Sequence, residues 1–377
     1  MQVGLLGHGV VGSGVRRIID GMSNNKTACL CIKRILVKDE IEMVEERMTR
    51  NIDDIILDRD IQLVVECMGG KEPAHTFVKR ALENGKNVVT SNKKMLASYG
   101  DELFALAHQK GVKLLYEASV GGGIPWMAEL RRIRRIDEIE SFEGIFNGTT
   151  NYILSRMEAE GCEFHEMLAQ AQSLGYAERD PSDDIDGYDV AYKTALTCLA
   201  AFDCFVDPQD IPVSGIRNIT KKDMNYANEH GFSIKLLGKG RKKDGILQCS
   251  VMPCFVPKGG TFASVPLNYN AISSVSETLG RAVFTGQGAG SLPTAHAVVQ
   301  DMLDIATGAD IADHSITPCC VDESAEVTCY IRGGSIPFPY VAETVDEDTV
   351  ITVPLSYAKL KELTDNTRGV MVIEVKK

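Results

Sequence analysis

Between Ala171 and Lys193 the chain reads AQSLGYAERDPSDDIDGYDVAYK, a stretch dense in acids that closes on one lysine. The run that follows, TALTCLAAF from Thr194 to Phe202, carries no charge on any face, the pattern of a buried helix rather than an amphipathic one. Gly187 ends the acidic loop, so the helix is expected to start near Tyr188. Asp189 and Lys193 then stand one turn apart, acid first, the favourable order for a helical ion pair. A solvated helix start would account for the pair. At the mouth of a buried helix, however, a lysine is costly unless it is paired or employed, which favours a site. Asp180, Asp183, Asp184 and Asp186 invite a calcium reading, but the register fails. Placing Asp184, Asp186 and Gly187 in an EF-hand loop leaves Ser182 at its first position and puts Lys193 where the bidentate glutamate belongs.

The elements that must position such a pair begin at the N-terminus. Gln2 to Leu6 is a short apolar strand, followed at once by G-H-G-V-V-G and a helix expected over Val11–Met22. This is the dinucleotide fingerprint in its required context of strand, tight turn and helix N-terminus. Gly7 allows the turn, Gly9 lets backbone approach a pyrophosphate, and Gly12 lets helix and strand pack. Val10 and Val11 lie in the same phosphate-binding turn, whose N–H groups and helix dipole hold the negative charge. At the end of the second strand, Lys33 to Val37, an NAD-selecting acid is usual. Here Lys38 comes first, with Asp39 behind it, so a ribose 2′-phosphate and hence NADP is tolerated unless Lys38 is merely solvated. Ile61 to Met68 reads as a buried parallel strand ending in Gly69-Gly70. A helix over Pro73–Asn84, a strand over Asn87–Thr90, a turn carrying Lys93, a helix over 99–110 and a strand over 112–116 follow. Strands alternating with helices predict a doubly wound α/β sheet of Rossmann type, with ligands at the strand C-termini where Gly69 and Lys93 fall.

Composition bounds the rest. A chain of 377 residues accommodates two domains, and 40 Lys+Arg against 52 Asp+Glu give a net charge of -12. That balance argues against nucleic acid or an anionic membrane as the main partner. The 11 cysteines are irregularly spaced, several within apolar runs (Cys29, Cys31, Cys67, Cys198), as expected of reduced, buried thiols in a cytoplasmic protein. The opening MQVGLLGHG has no cationic lead, so no signal peptide is expected. Pro, Asn and Gly break the long uncharged runs, so no transmembrane helix is expected either.

After Tyr116, EASVGGGIP opens a helix bearing the single tryptophan, Trp126. Its three glycines fit carbonyls turned towards a cation or, more simply, a hinge. From about Ile136 the pattern shifts to a second, α+β domain. A strand over Ile139–Phe146 leads to NGTTNYIL, whose Asn147-Gly148 turn presents Thr149 and Thr150. Strands are expected near Ile246–Val256, Ala271–Val275 and Ala282–Thr285. The loop Gly286 to Ser291, which includes Gly290, is a second backbone nest for phosphate or ribose, or an ordinary entry to a helix over Pro293–Ala306. The division expected is 1–135 for the dinucleotide, 136–292 for substrate and dimerisation, and 293–377 for a returning helix and a short tail with strand-like pieces at Glu326–Ile331 and Val370–Val375.

These motifs resemble the homoserine dehydrogenase family, whose signature A-x3-G-[aromatic]-A-x2-D-P-x2-D-x2-G-x-D-x3-K is met at every fixed position. Those positions are Ala171, Gly175, Tyr176, Ala177, Asp180, Pro181, Asp184, Gly187, Asp189 and Lys193. The likeness runs on through VVECMGG, TSNK, YEASVGGGIP, GTTNYI and GAGSLPTA. It implies reversible reduction of L-aspartate 4-semialdehyde to L-homoserine with NADP or NAD, in threonine and methionine biosynthesis, by a homodimer. It also implies that Lys193 is the acid/base and Asp189 its partner. Glu178, Asp184, Thr149 and Tyr176 would hold substrate, and Lys93, Gly175 and the loop carrying Gly290 would touch the coenzyme. The turn with Glu117, Val120, Gly122 and Ile124 would bind a monovalent cation, Na+ or K+. Hydride delivered to an aldehyde carbon leaves an alkoxide that needs a proton, which a lysine desolvated beside an aspartate can give. Another amino-aldehyde reductase would keep the fold and change Glu178 or Thr149; a non-catalytic NAD(P)-binding sensor would lose Lys193 or Asp189. Two departures stand out. Lys38 occupies a place where many relatives carry arginine, and the tail is short for a complete regulatory ACT domain.

Overall fold

The computed structural model describes residues 1–21, 26–309, 316–365, 367 and 369–375. The chain divides into two compact units. The first comprises Met1–Ile136, Ala195–Asp207 and Gly286–Pro318. It is built on six strands: β1 (Gln2–Leu6), β2 (Cys31–Leu36), β3 (Met48–Thr49), β4 (Ile61–Glu66), β5 (Asn87–Thr90) and β6 (Leu114–Leu115). They lie in the order β3-β2-β1-β4-β5-β6, all pairs parallel. That is the strand order of the doubly wound dinucleotide fold. Val3, Leu5, Leu63, Val65 and Val89 fill its core and are fully buried, because a parallel sheet is covered on both faces. The helix Ser291–Thr307 belongs to this unit and packs on the fingerprint helix Val10–Gly21. A side chain at Gly14 would stand 2.8 Å from the Ser291 carbonyl oxygen, so bare backbone is required there.

Two boundaries differ from the sequence reading in ways that matter for the site. The helix expected over 99–110 starts at Lys93, because the Asn92 side chain accepts from the Met95 N–H and caps it. Lys93 is therefore the first residue of a helix, not part of a free turn. The fingerprint helix starts at Val10, and its expected last residue, Met22, lies outside the described residues. Cys29 and Cys31, expected inside, are exposed at the start of β2.

The second unit comprises Asp137–Thr194, Pro208–Thr285 and Cys319–Lys377. Its nine-stranded sheet runs in the order Gly280–Gln287, Tyr269–Ser276, Ile139–Ile145, Phe232–Lys243, Ile246–Pro257, Met371–Val375, Cys329–Arg332, Thr349–Thr352, Val341–Asp346. Met371–Val375 joins Ile246–Pro257 in parallel at Cys254–Phe255 and pairs antiparallel with Cys329–Arg332. The strand Phe232–Lys243 escaped the sequence reading, although the hairpin it forms turns at Asp244-Gly245, both at positive φ. Such a dipeptide is the strongest short hairpin signal.

The tail is not a short appendage. The four of its strands that join this sheet, Cys329–Arg332, Val341–Asp346, Thr349–Thr352 and Met371–Val375, lie in the order fourth, first, third, second, with the helix Tyr357–Thr364 between third and fourth. This is the split β-α-β arrangement in which a 3-10 turn, Phe338–Tyr340, stands where the first helix would be. Buried Asp223 anchors it, accepting from Tyr330 Oη at 2.9 Å and from Arg332 Nε and Nη2 at 2.8 and 2.9 Å. The observed division thus cuts across the expected segments 136–292 and 293–377. Ala195–Asp207 groups with the first unit, where Cys204–Phe205 pairs with Thr317–Pro318, and residues 319–377 group with the second. Among the described residues no helix is long and apolar enough to cross a membrane.

Candidate active site

The second unit brings Lys193, Asp189, Asp184 and Thr149 together. The helix Tyr188–Phe202 starts where the acidic loop ends, since Gly187 turns the chain at φ 89 and a side chain there would meet Val213 at 2.9 Å. Lys193 Nζ donates to Asp189 Oδ2 at 2.6 Å and to the Phe146 carbonyl at 2.7 Å, with the two side chains only 11% and 6% exposed. Asn270 also donates to the Phe146 carbonyl, at 2.9 Å. The ammonium is thereby held by a carboxylate and by a main-chain oxygen whose own position is fixed. Asn147 caps the helix Gly148–Glu160 through its side-chain oxygen, and its amide nitrogen donates to Asp184 Oδ1 at 2.7 Å and Asp189 Oδ2 at 2.8 Å. Burial, followed by the Asp189 charge, holds the Asp184 carboxyl above its ordinary range, while the Asn147 hydrogen bond and Lys193 pull it down.

Other predicted substrate residues lie on the loop before this cluster. Thr149 donates its hydroxyl to the Tyr176 carbonyl at 2.6 Å, so it pins the loop. The Tyr176 ring, 41% exposed, lies 5.0 Å from that of Tyr152. Gly175 takes a positive φ of 76. Glu178 is exposed and makes no ion pair among the described residues, so its carboxylate is open to a cationic group. Two acids of the signature stretch are engaged elsewhere: Asp186 binds Arg217 at 2.8 Å through both oxygens, and Asp180 accepts from Ser182. Thr150 turns its hydroxyl back to the Asn147 carbonyl.

The first unit carries the glycine turn expected to cradle a coenzyme. Gly7 has φ 92, and a side chain on Gly12 would stand 2.1 Å from the Gly7 carbonyl oxygen. Nothing lies within 4 Å of the place a side chain on Gly9 would take, so the turn is open there, and neighbouring Val10 is 70% exposed. This open backbone at a helix N-terminus suits a pyrophosphate. Gly69 and Gly70, both at positive φ, follow β4, and the fully buried Glu66 fixes them by accepting from the Met68 and Gly69 N–H groups at 2.7 and 3.2 Å. Burial raises the Glu66 carboxyl, and hydrogen bonds from Thr90, Met68, Gly69 and Asn92 oppose that rise. Lys38 is exposed just beyond β2, its N–H donating to Glu42 at 3.4 Å. Gly290 opens the helix Ser291–Thr307, and Ser291 Oγ donates to the Val10 carbonyl at 2.6 Å.

The turn from Glu117 to Ile124 is packed rather than hinge-like. A side chain on Gly122 would meet Gly288 backbone at 2.4 Å, and the Gly123 N–H donates to the Gln287 carbonyl at 3.1 Å. Glu117 spends its carboxylate on the N–H groups of Met127 and Ala128, capping the helix Trp126–Ile133, and burial pushes it up to about 7. Asp301 accepts the Glu117 N–H at 2.8 Å and is pushed up to about 8 by its own burial and then by Glu117. The carbonyls of Glu117 and Ile124 accept from Val120 and Trp126, whereas among the described residues no backbone N–H donates to those of Val120 and Gly122. Two carbonyls of the expected cation set, both on buried residues, thus take no main-chain hydrogen bond among the described residues.

Sequence reasoning missed Asn147 as a bridge, Asn270, Glu66, Asp301 and Gly14. Asn147 had a legible signal, an asparagine at the entry of a helix. Glu66 had none, standing inside the apolar run IQLVVECM.

A parallel sheet of this strand order, a glycine turn open at a helix N-terminus and a buried lysine–aspartate pair define an NAD(P)-dependent oxidoreductase. The family model described as "Homoserine dehydrogenase, NAD binding domain" matches residues 7–117, and that described as "Homoserine dehydrogenase" matches residues 125–303. The chain is 42% identical over 316 residues to a homoserine dehydrogenase of Synechocystis sp., covering 81% of this chain and 73% of that one. It is 38% identical over 314 residues to one of Bacillus subtilis, covering 81% and 72%. The crystal structure of a homoserine dehydrogenase from Thiobacillus denitrificans superposes with a TM-score of 0.87 at 33% identity, covering 100% of this chain and 98% of that one. The chain belongs to the homoserine dehydrogenase family.

Proposed function

We propose that Lys193 is the acid/base of a reversible, NAD(P)-dependent reduction of L-aspartate 4-semialdehyde to L-homoserine, the step that serves threonine and methionine biosynthesis. The observation that carries this reading is the Lys193 ammonium, almost buried and held between Asp189 and the Phe146 carbonyl. The coenzyme, when bound, supplies or accepts the hydride. The protein handles the proton. As the aldehyde carbon gains a C–H bond, the carbonyl electron pair moves to oxygen, and Lys193 gives that oxygen its proton; in the oxidative direction the neutral lysine takes it back. Asp189 keeps the lysine in place, and a carboxylate beside an ammonium stabilises the charged form that is ready to donate. Asp184 accepts from the substrate's hydroxyl end, Glu178 faces its ammonium as an open acid, and Thr149 and Tyr176 shape the loop around it.

The same reading places the coenzyme phosphates on Gly7, Gly9, Val10, Val11 and Gly12, with Gly69, Lys93, Gly175 and Gly290 around the rest. Lys38, exposed beyond β2, reads a 2′-phosphate and so admits NADP beside NAD. The carbonyls of Val120 and Gly122, with those of Glu117 and Ile124, receive Na+ or K+. Residues 1–135 carry most of the coenzyme contacts, and the substrate residues all fall within 136–292. The protein works as a homodimer in the cytoplasm, a compartment consistent with cysteines that form no disulfide. NAD(P)H oxidation measured with aspartate semialdehyde against other small aldehydes tests the reading. Turnover at least as fast with an aldehyde lacking the amino and carboxyl groups would overturn it.

A further inference from the structure

Among the side chains around the lysine–aspartate pair, one has every polar atom in use. Asn147 is 5% exposed. Its amide nitrogen donates to Asp184 Oδ1 at 2.7 Å and to Asp189 Oδ2 at 2.8 Å, while its oxygen accepts the Thr150 N–H at 2.8 Å. A primary amide has two N–H donors and one acceptor oxygen, so this buried asparagine is fully used. The capping bond alone needs only the oxygen, and serine or threonine would supply it equally well. The two donors therefore ask for a separate reason. Both go to carboxylates, one from the turn Ser182–Ile185 and one from the helix Tyr188–Phe202. The second carboxylate is the one that Lys193 also touches through the same oxygen, Oδ2.

We propose that Asn147 is a positioning residue of the reaction: by bridging Asp184 and Asp189 it holds both carboxylates in register with Lys193. The inference rests on the roles proposed above for those three residues. Two like charges in a part-buried site disfavour each other's ionisation, and a neutral donor shared between them is the one kind of group that relieves this without adding a charge. Lysine could not take the place without competing with Lys193 for Asp189, and aspartate would add a third acid. The groups acting on Asp184 are Asp189 and Lys193 from the following helix and Thr149 from the helix that Asn147 caps; Asp183 and Asp186 are its neighbours in sequence, the latter paired with Arg217. The positive charge that acts to lower Asp184 is that of Lys193. Without the amide donors, Asp184 keeps the burial and the Asp189 repulsion that raise it and loses one of the bonds that lower it. It therefore takes up a proton at a higher pH, and an acid needed as an acceptor is lost earlier on the acid side.

The test is the Asn147→Ser variant, which keeps the capping oxygen and removes both bridging donors, with Asn147→Asp as its charged counterpart. For wild type and variants, kcat and kcat/KM for homoserine oxidation are followed against pH, with melting temperature and NADPH binding measured on the same preparations. The acid limb of kcat/KM is expected to move up by about one pH unit in Asn147→Ser, which is roughly a tenfold loss below the limb. A smaller loss is expected on the plateau, with NADPH affinity unchanged. Asn147→Asp should move the limb further. A folded Asn147→Ser enzyme whose loss is the same at every pH, or which loses only melting temperature, overturns the proposal and leaves Asn147 as a helix cap. Should Asn147→Ser fail to fold, Asn147→Thr, which also caps, is read the same way. Failure of the underlying reading looks different: Lys193→Ala would then retain turnover whatever Asn147 does.

Discussion

The coenzyme turn of the first unit and the head of the Tyr188–Phe202 helix in the second are both small, glycine-entered and placed at a helix start, yet they are built from opposite materials. The turn works through what is missing. The surface proposed to bind phosphate is main-chain N–H at Gly7 to Gly12, and side chains are excluded by backbone as near as 2.1 Å at Gly12 or meet open space at Gly9. The helix head works through what is present: Lys193, Asp189, Asn147 and Asp184 are joined in one chain of hydrogen bonds. A backbone site is sensitive to volume and indifferent to pH, whereas a side-chain site tolerates small changes of volume and answers to charge.

That contrast can be broken within the turn itself. Gly12→Ala places a methyl against the Gly7 carbonyl, overpacking worth about 3 kcal/mol or more, and should weaken NADPH binding roughly a hundredfold in a fluorescence titration. Gly9→Ala meets no atom of the protein, so its fold should be unchanged, and any affinity it loses reports the approach of the coenzyme. Equal, undiminished binding by both variants would mean that the turn does not carry the phosphates. The charge side of the comparison is sharpened by a second buried lysine of the same unit. Lys235 donates only to neutral acceptors, Asn151 Oδ1 at 2.7 Å, Ser155 Oγ at 3.1 Å and the Val265 carbonyl at 3.2 Å. Burial lowers it from 10.5 to about 8. Because the folded value lies below the unfolded one, the unfolded chain binds more protons between those limits, and stability rises with pH across that window. The rise amounts to about 3 kcal/mol and should be missing in Lys235→Met, as followed by chemical denaturation from pH 7.5 to 10.5. Parallel curves for variant and wild type would contradict it. The smallest effect belongs to Lys38, which is exposed. Lys38→Ala should lower kcat/KM for NADPH roughly twofold to fivefold and leave NADH nearly unchanged; equal losses would remove Lys38 from coenzyme selection.

The same difference explains what could be read in advance. Gly7, Gly9 and Gly12 announce themselves because a backbone site needs glycine at fixed spacing, and β1 and β5 were legible to the residue because short apolar strands between turn signals admit few alternatives. Asp189 and Lys193 were legible because helical spacing alone brings them together. Asn147 was legible as a helix cap but not as a bridge, because the acids it joins lie some forty residues on, and Asn270 reaches the Phe146 carbonyl from a distant strand, so nothing local marks it. The tail was the least legible region. Its strands are two to six residues long by their bounds, from Glu326–Val327 to Val341–Asp346, and their pairing partners are set by tertiary contacts such as Asp223 with Arg332. Phe232–Lys243 was missed because its last residues, Lys239 to Lys243, look solvated, although Lys239 is paired with Glu374.

The central claim is that Lys193 moves the proton, and single-turnover hydride transfer in Lys193→Ala, with NADPH affinity and melting temperature measured on the same protein, tests it most directly. Removal of a general acid costs about 10²–10⁴-fold. The account predicts a loss in that range in both reaction directions with coenzyme binding intact, and a smaller loss in Asp189→Asn, where the lysine remains but is poorly held. A variant that loses melting temperature yet turns over within about tenfold of wild type, short of the smallest general-acid effect, would show that Lys193 is a structural ion-pair partner and not the proton donor.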